Sequence, residues 1–189
     1  MSGLKINFGE CNPKYKDQGE RGWVTVDRAP GAAVTWDLRR LPYPFADGAA
    51  EMLYTSHFIE HLLHADARRF LGECLRILQP GGVLRVVWPE FSYSSVVPQM
   101  ALLEYLSGAR VPGGELNEEE RFVLAQCHHT HLYAYDLTTM RYELCRAGFT
   151  PRLVLPLSPG KSSWGKSEPA ELDNLGMNNL CVEAKKAEA

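Results

Sequence analysis

A chain of 189 residues, 45% apolar and 23% charged with a formal net charge of −3, has the size and balance of one soluble domain. No apolar run reaches the roughly 18 residues of a membrane-spanning helix, which argues against a membrane partner. The 20 basic residues are scattered or paired with acids instead of gathered on a face, so a nucleic acid is not an expected partner either.

The chain starts Met1-Ser2-Gly3-Leu4-Lys5-Ile6, with no basic flank, apolar stretch or small-residue cleavage site, and the cytoplasm is the expected location. Lys5 to Phe8 reads as a first buried strand ending in the turn Gly9-Glu10-Cys11-Asn12-Pro13. Trp23-Val24-Thr25-Val26 is a second strand ending at Asp27, and Ala33-Val34-Thr35-Trp36 a third ending at Asp37. A Pro-rich connection, Leu41 to Gly48, leads to a fourth strand over Glu51 to Ser56. Asp66 is then the expected cap of a helix whose apolar residues Phe70, Leu71, Cys74, Leu75 and Leu78 recur at helical spacing, with Pro80-Gly81-Gly82 as its stop. Val83 to Trp88 is the most strand-like run and ends at Pro89.

Residues 92–127 break the alternation with apolar helical stretches around a polar, Gly-rich segment, and are expected to form an insertion capping one end of the sheet. Asp136 starts a late helix with Leu137, Met140 and Leu144 on one face and Gly148 as its stop. Arg152 to Leu157 and Leu180 to Lys185 are two late strands, separated by a polar loop. The βα alternation predicts a single α/β domain, a doubly wound and mostly parallel sheet with helices on both faces.

In such a sheet ligands bind beyond the carboxyl ends of the strands, near the point where strand order reverses. Gly9 to Asn12, Asp27, Asp37-Leu38, Ser56-His57 and Pro89-Glu90 fall there, offering backbone donors and carboxylates together. A carboxylate accepts hydrogen bonds at both oxygens, so Asp27 suits the two hydroxyls of a ribose and Asp37 an adenine amino group. An Asp at a strand end is also an ordinary turn residue, so the weight lies in their shared placement. Gly9 opens no complete G-x-G-x-x-G, which disfavours a pyrophosphate and with it a nicotinamide-dependent oxidoreductase.

The sequence resembles the class I S-adenosylmethionine-dependent methyltransferases, in particular compact bacterial ones found among sugar and polysaccharide genes. The resemblance covers most of the chain. It is carried by Ile6 to Pro13, Trp23 to Asp27 and Asp37-Leu38-Arg39. It is carried most specifically by Tyr54-Thr55-Ser56-His57-Phe58-Ile59-Glu60-His61-Leu62 followed by Leu75-Arg76-Ile77-Leu78-Gln79-Pro80-Gly81-Gly82. It implies a seven-stranded Rossmann-like sheet and S-adenosylmethionine as cofactor. Phe8, Gly9, Glu10 and Cys11 would lie along its methionine part, Asp27 at the ribose, Asp37 and Leu38 at the adenine, and Ser56-His57 near the sulfonium. Members usually carry Gly-x-Gly where this chain has Gly9-Glu10-Cys11.

Methyl transfer from a sulfonium is an in-line displacement that needs positioning and, for a hydroxyl acceptor, a base. His57, directly after the fourth strand, is the candidate base. Glu60 and His61 read as groups that cap and anchor the strand-to-helix turn. His131 and Tyr135 are the candidate acceptor residues, with a small molecule or sugar as the expected acceptor. His128-His129-Thr130-His131 lacks a second ligand group at recognisable spacing, and the five cysteines form no C-x-x-C pair, so no metal is expected. The alternative is a methyltransferase-like scaffold without cofactor, which Glu10 and Cys11 side chains in the first loop would favour.

Overall fold

A computed structural model describes residues 3–9, 22–90, 135–163, 173 and 179–188. Glu10, Cys11 and His131, and the expected insertion at 92–127, lie outside the described residues.

Seven strands form one sheet: β1 (Leu4–Phe8), β2 (Trp23–Asp27), β3 (Val34–Thr35), β4 (Ala50–Ser56), β5 (Leu78–Pro89), β6 (Val154–Leu157) and β7 (Asn179–Lys185). Their spatial order is β3-β2-β1-β4-β5-β7-β6, all neighbours parallel except the two pairings made by β7. The order reverses between β1 and β4, which opens a crevice above their carboxyl ends.

Among the described residues, two α-helices, α1 (His64–Ile77) and α2 (Leu137–Arg146), cover one face. Alternation along the strands sends Ile6, Phe8, Leu53, Leu84, Val86 and Trp88 to that face, where they meet Phe70, Leu71 and Cys74 of α1 and Met140 and Leu144 of α2. The opposite face carries a smaller apolar group of Trp23, Met52, Tyr54, Val87 and Cys181. A polar row also crosses it through paired positions Thr25, Asn7, Tyr54, Arg85 and Glu183. Among the described residues that face has no helix, and its cover includes the 158–163 segment, tied down by Arg85 as described in the Discussion.

Most predicted elements recur with shifted ends. β3 is only two residues long, so Asp37 lies two residues beyond it. The first late strand begins as a 3-10 turn over Pro151–Leu153 before β6. Asp66 does not cap α1. The helix starts at His64 with Leu63 at the capping position and no side-chain cap, and Asp66 sits in the first turn paired with Arg69. The reason is tertiary, for His64 Nε2 meets Glu143 Oε1 of α2 at 2.8 Å and ties the first helical residue down. Pro80-Gly81-Gly82 does follow the helix, but within an irregular opening of β5, where the pairing with β4 jumps from Ala50–Leu78 to Met52–Val83. Asp136 caps α2 as expected, accepting from the Thr139 amide at 2.6 Å.

Glu143 also accepts from Arg68 at 2.6 and 3.1 Å, so one nearly buried carboxylate clamps both helices. The Arg68 hydrogen bond holds its carboxyl below the usual range against the opposing effect of burial. Glu143→Ala is expected to lower unfolding stability by about 1.5–3 kcal/mol in a urea titration at pH 7. Because the folded-state carboxyl ionises more readily than the unfolded one, this contribution is present above the unfolded value and is lost as pH falls through the folded one. The difference between variant and wild type should therefore shrink as pH falls through the folded-state value.

Candidate functional site

The crevice at the β1/β4 reversal is a cavity of about 370 Å³ lined by Gly9, Asp27, Arg28, Asp37, Leu38, Arg39, His57, Phe58, His61 and Leu62. That volume lies within the range of small-ligand sites. Five residues singled out from the sequence, Gly9, Asp27, Asp37, Leu38 and His57, meet here although up to 48 positions separate them.

Gly9 leaves β1 with φ +81°, donating its amide to the Val26 carbonyl at 3.0 Å. Its missing side chain matters, because a Cβ there would lie 2.7 Å from the Phe58 ring. Phe58 is held in turn by Phe70, whose ring lies 5.3 Å away edge-on. Phe8 has zero exposure and its ring packs on Tyr43, Phe45 and Phe70. Its side chain therefore faces the core, and only its backbone borders the first turn. Ser56 ends β4 buried and is not among the cavity-lining residues. Tyr135 is buried beyond β5, its carbonyl accepting from Trp88 Nε1 at 2.8 Å, and does not line this cavity.

The two acidic residues differ. Asp27 accepts from the Ala29 amide through Oδ1 at 2.7 Å, an Asx turn that fixes the carboxylate at the end of β2. Asp37 is held more firmly: its Oδ1 accepts from the Arg39 amide and Nε, each at 3.0 Å, and its Oδ2 from Nη2 at 2.9 Å. Those side-chain hydrogen bonds hold its carboxyl down at about 2. A carboxylate offers about four lone-pair directions, so acceptor capacity remains on both residues. Leu38 is 7% exposed, its carbonyl taken by the Tyr43 hydroxyl at 2.7 Å.

His57 follows β4 with φ +49°, a left-handed backbone that a non-glycine residue adopts only under local constraint. Its amide donates to the Val87 carbonyl at 3.0 Å, which fixes the turn against β5. Nε2 is buried, and burial pushes the imidazole below its usual range, with the Asn179 side chain of β7 acting the other way.

Sequence reading assigns Glu60 a capping and anchoring role and misses its burial beside the cavity. It lies in a 3-10 turn, Ile59–His61, between β4 and α1, and it makes no helix cap. Its side chain has zero exposure, with Oε1 3.7 Å from His57 Nδ1 and 4.0 Å from His61 Nε2. Burial pushes its carboxyl up to about 8. The H-x-x-E-H spacing was visible as residues 57, 60 and 61, but a carboxylate at a helix start is so common a dipole partner that only the packing reveals its burial.

Residues 17–86 match a family model described as a methyltransferase domain. No curated protein matches the chain. Among solved structures, the chain is similar to a methyltransferase in complex with the Trm112 methyltransferase activator of Haloferax volcanii, at 14% identity and TM-score 0.58 over 99% of this chain and 84% of that one. It is similar to an S-adenosylmethionine-dependent methyltransferase from Archaeoglobus fulgidus, at 13% identity and TM-score 0.59 over 98% and 86%. It also matches phosphoethanolamine N-methyltransferase 2 of Haemonchus contortus, in complex with S-adenosyl-L-methionine, at 14% identity and TM-score 0.55 over 100% of this chain but 50% of that one.

Proposed function

We propose that this chain, a class I S-adenosylmethionine-dependent methyltransferase by its matched domain and its sheet order, holds that cofactor in the β1/β4 cavity and methylates a hydroxyl or amine of a small molecule or sugar. The observation that carries the reading is the convergence of Gly9, Asp27, Asp37, Leu38 and His57 on one cavity at the switch point of the sheet.

The donor set fits the cofactor. Asp27, fixed at the end of β2, accepts the ribose hydroxyls. The Asp37-Leu38 segment faces the adenine, and the turn opened by Gly9 accommodates the methionine part. When bound, the cofactor supplies a sulfonium-activated methyl group. The protein's work is to hold an acceptor in line with it at about 3–3.5 Å and to receive the acceptor's proton. His57 and His61, both on the cavity wall, are the groups assigned to the proton. His131 and Tyr135 remain the acceptor residues expected from the sequence, although Tyr135 does not line this cavity. An amine acceptor gains support from the phosphoethanolamine N-methyltransferase among the similar structures, and a sugar from the resemblance of the sequence.

Calorimetric titration with S-adenosylmethionine and S-adenosylhomocysteine tests the reading. Binding in the micromolar range is expected, and Asp27→Ala should weaken it at least tenfold, about 1.4 kcal/mol. A folded sample that takes up neither ligand at millimolar concentration would overturn the assignment and leave a scaffold domain in its place.

A further inference from the structure

The cavity wall assigned to the adenine, Asp37-Leu38-Arg39, lies beyond β3 and so outside the strand pairing of the sheet. Its outer hydrogen bonds are exposed ones: the fork of Arg39 on Asp37, and Trp36 Nε1 donating to the Arg40 carbonyl at 2.9 Å. Exposed contacts hold a segment weakly, because water competes for each partner. What reaches the wall from beneath is Tyr43, 3% exposed, whose hydroxyl donates to the Leu38 carbonyl at 2.7 Å. Burial drives the phenol's proton affinity up, so it stays a donor at neutral pH.

Tyr43 is itself fixed from two sides. Its ring packs on Phe8 of β1 and Phe70 of α1, with centroids 5.2 and 6.2 Å away. Its amide donates to Glu73 Oε2 of α1 at 2.9 Å. Arg76 grips Glu73 through Nε and Nη2, each at 2.8 Å, which keeps that carboxyl below its usual range and charged. The same guanidinium donates to the Phe45 carbonyl at 2.8 Å and to the Asp47 carboxylate at 2.7 Å. The Leu41 to Gly48 connection is thus pinned to α1, and the wall is pinned to the connection through the phenol oxygen.

We propose that Tyr43 is a specificity-determining positioning residue of this site: by holding Leu38 from the core it fixes the Asp37 carboxylate toward the base of the nucleoside, and so selects an amino-bearing purine over an oxo-bearing one. The inference rests on the cofactor assignment above.

The wall carries both an acceptor, Asp37, and a donor, Arg39, and both line the cavity. The carboxylate meets an amino group, whereas the guanidinium meets an oxo group. A wall with one setting offers the first in preference to the second. A wall free to shift presents whichever suits the ligand, and discrimination is lost. Without the phenol oxygen the Leu38 carbonyl would be left unpaired, so the segment would gain by turning it toward water. Tyr43 does not line the cavity, and its effect passes through Leu38.

The test compares the dissociation constants of S-adenosylhomocysteine and S-inosylhomocysteine, in which an oxo group replaces the amino group of the base. They are measured by calorimetry at pH 7 on wild type and Tyr43→Phe, a variant that keeps the ring and its contacts with Phe8 and Phe70. Wild type is expected to prefer the amino ligand by about tenfold or more and the variant by about threefold or less, with the loss falling on the amino ligand. A merely structural role would weaken both ligands alike, and an unchanged ratio would overturn the proposal while the cofactor assignment stood. A wild type with no preference would do the same. Absence of binding by either ligand to folded wild type would overturn both. Should Tyr43→Phe fail to fold, Glu73→Ala decides, since it keeps the phenol but releases the Tyr43 amide from α1. The preference should narrow there too, and an unchanged ratio would overturn the proposal.

Discussion

Replacing Arg85 by Met is expected to cost about 3–5 kcal/mol of unfolding stability, the range for leaving buried charges without their partner. Arg85 sits in the middle of β5 with zero exposure and donates through Nε to Asp173 Oδ1 at 3.0 Å, through Nη2 to Asp173 Oδ2, and through Nη1 to Glu183 Oε1 at 2.8 Å and to the Lys161 carbonyl at 2.8 Å. Burial works against its charge, but the hydrogen bonds to Asp173 and the two neighbouring carboxylates hold the guanidinium's proton affinity above its usual value. The carboxylates in turn fasten the covering segment: Asp173 accepts from the Gly160 amide at 2.7 Å and Glu183 from the Ser163 amide at 3.0 Å. Without Arg85, two carboxyls would remain buried with no cation among the described residues, and each would hold its proton more tightly in the folded state than in the unfolded one. Folded protein then binds more protons than unfolded, so the variant's stability falls as pH rises. Its deficit against wild type should be larger at pH 8 than at pH 5 in urea titrations. A triple variant, Arg85→Met with Asp173→Asn and Glu183→Gln, should recover most of the loss, since the uncharged set removes the unpaired charge. A single variant within 1 kcal/mol of wild type at both pH values would contradict this account of the network.

This same cluster marks the limit of what the sequence disclosed. β1, β2, β4 and β5 were readable because each is a short apolar or β-branched run closed by a turn residue, and a central parallel strand leaves few other uses for such a run. That Asp27, Asp37 and His57 would line one cavity was readable because parallel strands point their carboxyl ends the same way, so residues that follow different strands meet. Arg85 stood inside the most strand-like run in the chain with nothing nearby to explain it. Its partners are 88 and 98 residues away, and no local period relates them. Glu60 was hidden for a related reason: its neighbours in sequence are the right ones, but their spacing describes a helix start equally well, and only the depth of the turn below the cavity makes it a buried acid. The start of α1 was misplaced because a pairing with α2, 79 positions away, determines it. Local chemistry was legible wherever the backbone acts locally, and illegible wherever a charged group answers to a distant one.

Gly9 combines both kinds of constraint, and Gly9→Ala should have the second large effect. A side chain at φ +81° costs about 1–2 kcal/mol for its left-handed backbone. The new methyl group would stand 2.7 Å from Cγ and Cδ2 of Phe58, and overpacking of that kind adds about 1–3 kcal/mol. Phe58 has little room to yield, because Phe70 backs it and Phe70 is itself buried against Phe8 and Tyr43. If the backbone turns instead, the amide of residue 9 leaves the Val26 carbonyl and the strand end that faces the cavity moves with it. Either response reaches the site, so the variant is expected to lose about 2–5 kcal/mol in urea titration and at least tenfold in affinity for S-adenosylmethionine. The two costs separate in a double-mutant cycle with Phe58→Ala. Removing the ring relieves the contact but not the backbone conformation, so the coupling energy should be at least about 1 kcal/mol, and the double variant should remain less stable than Phe58→Ala alone. Additive effects would mean that Phe58 moves aside freely, and the tight approach of Gly9 to its ring would then have no part in shaping the cavity.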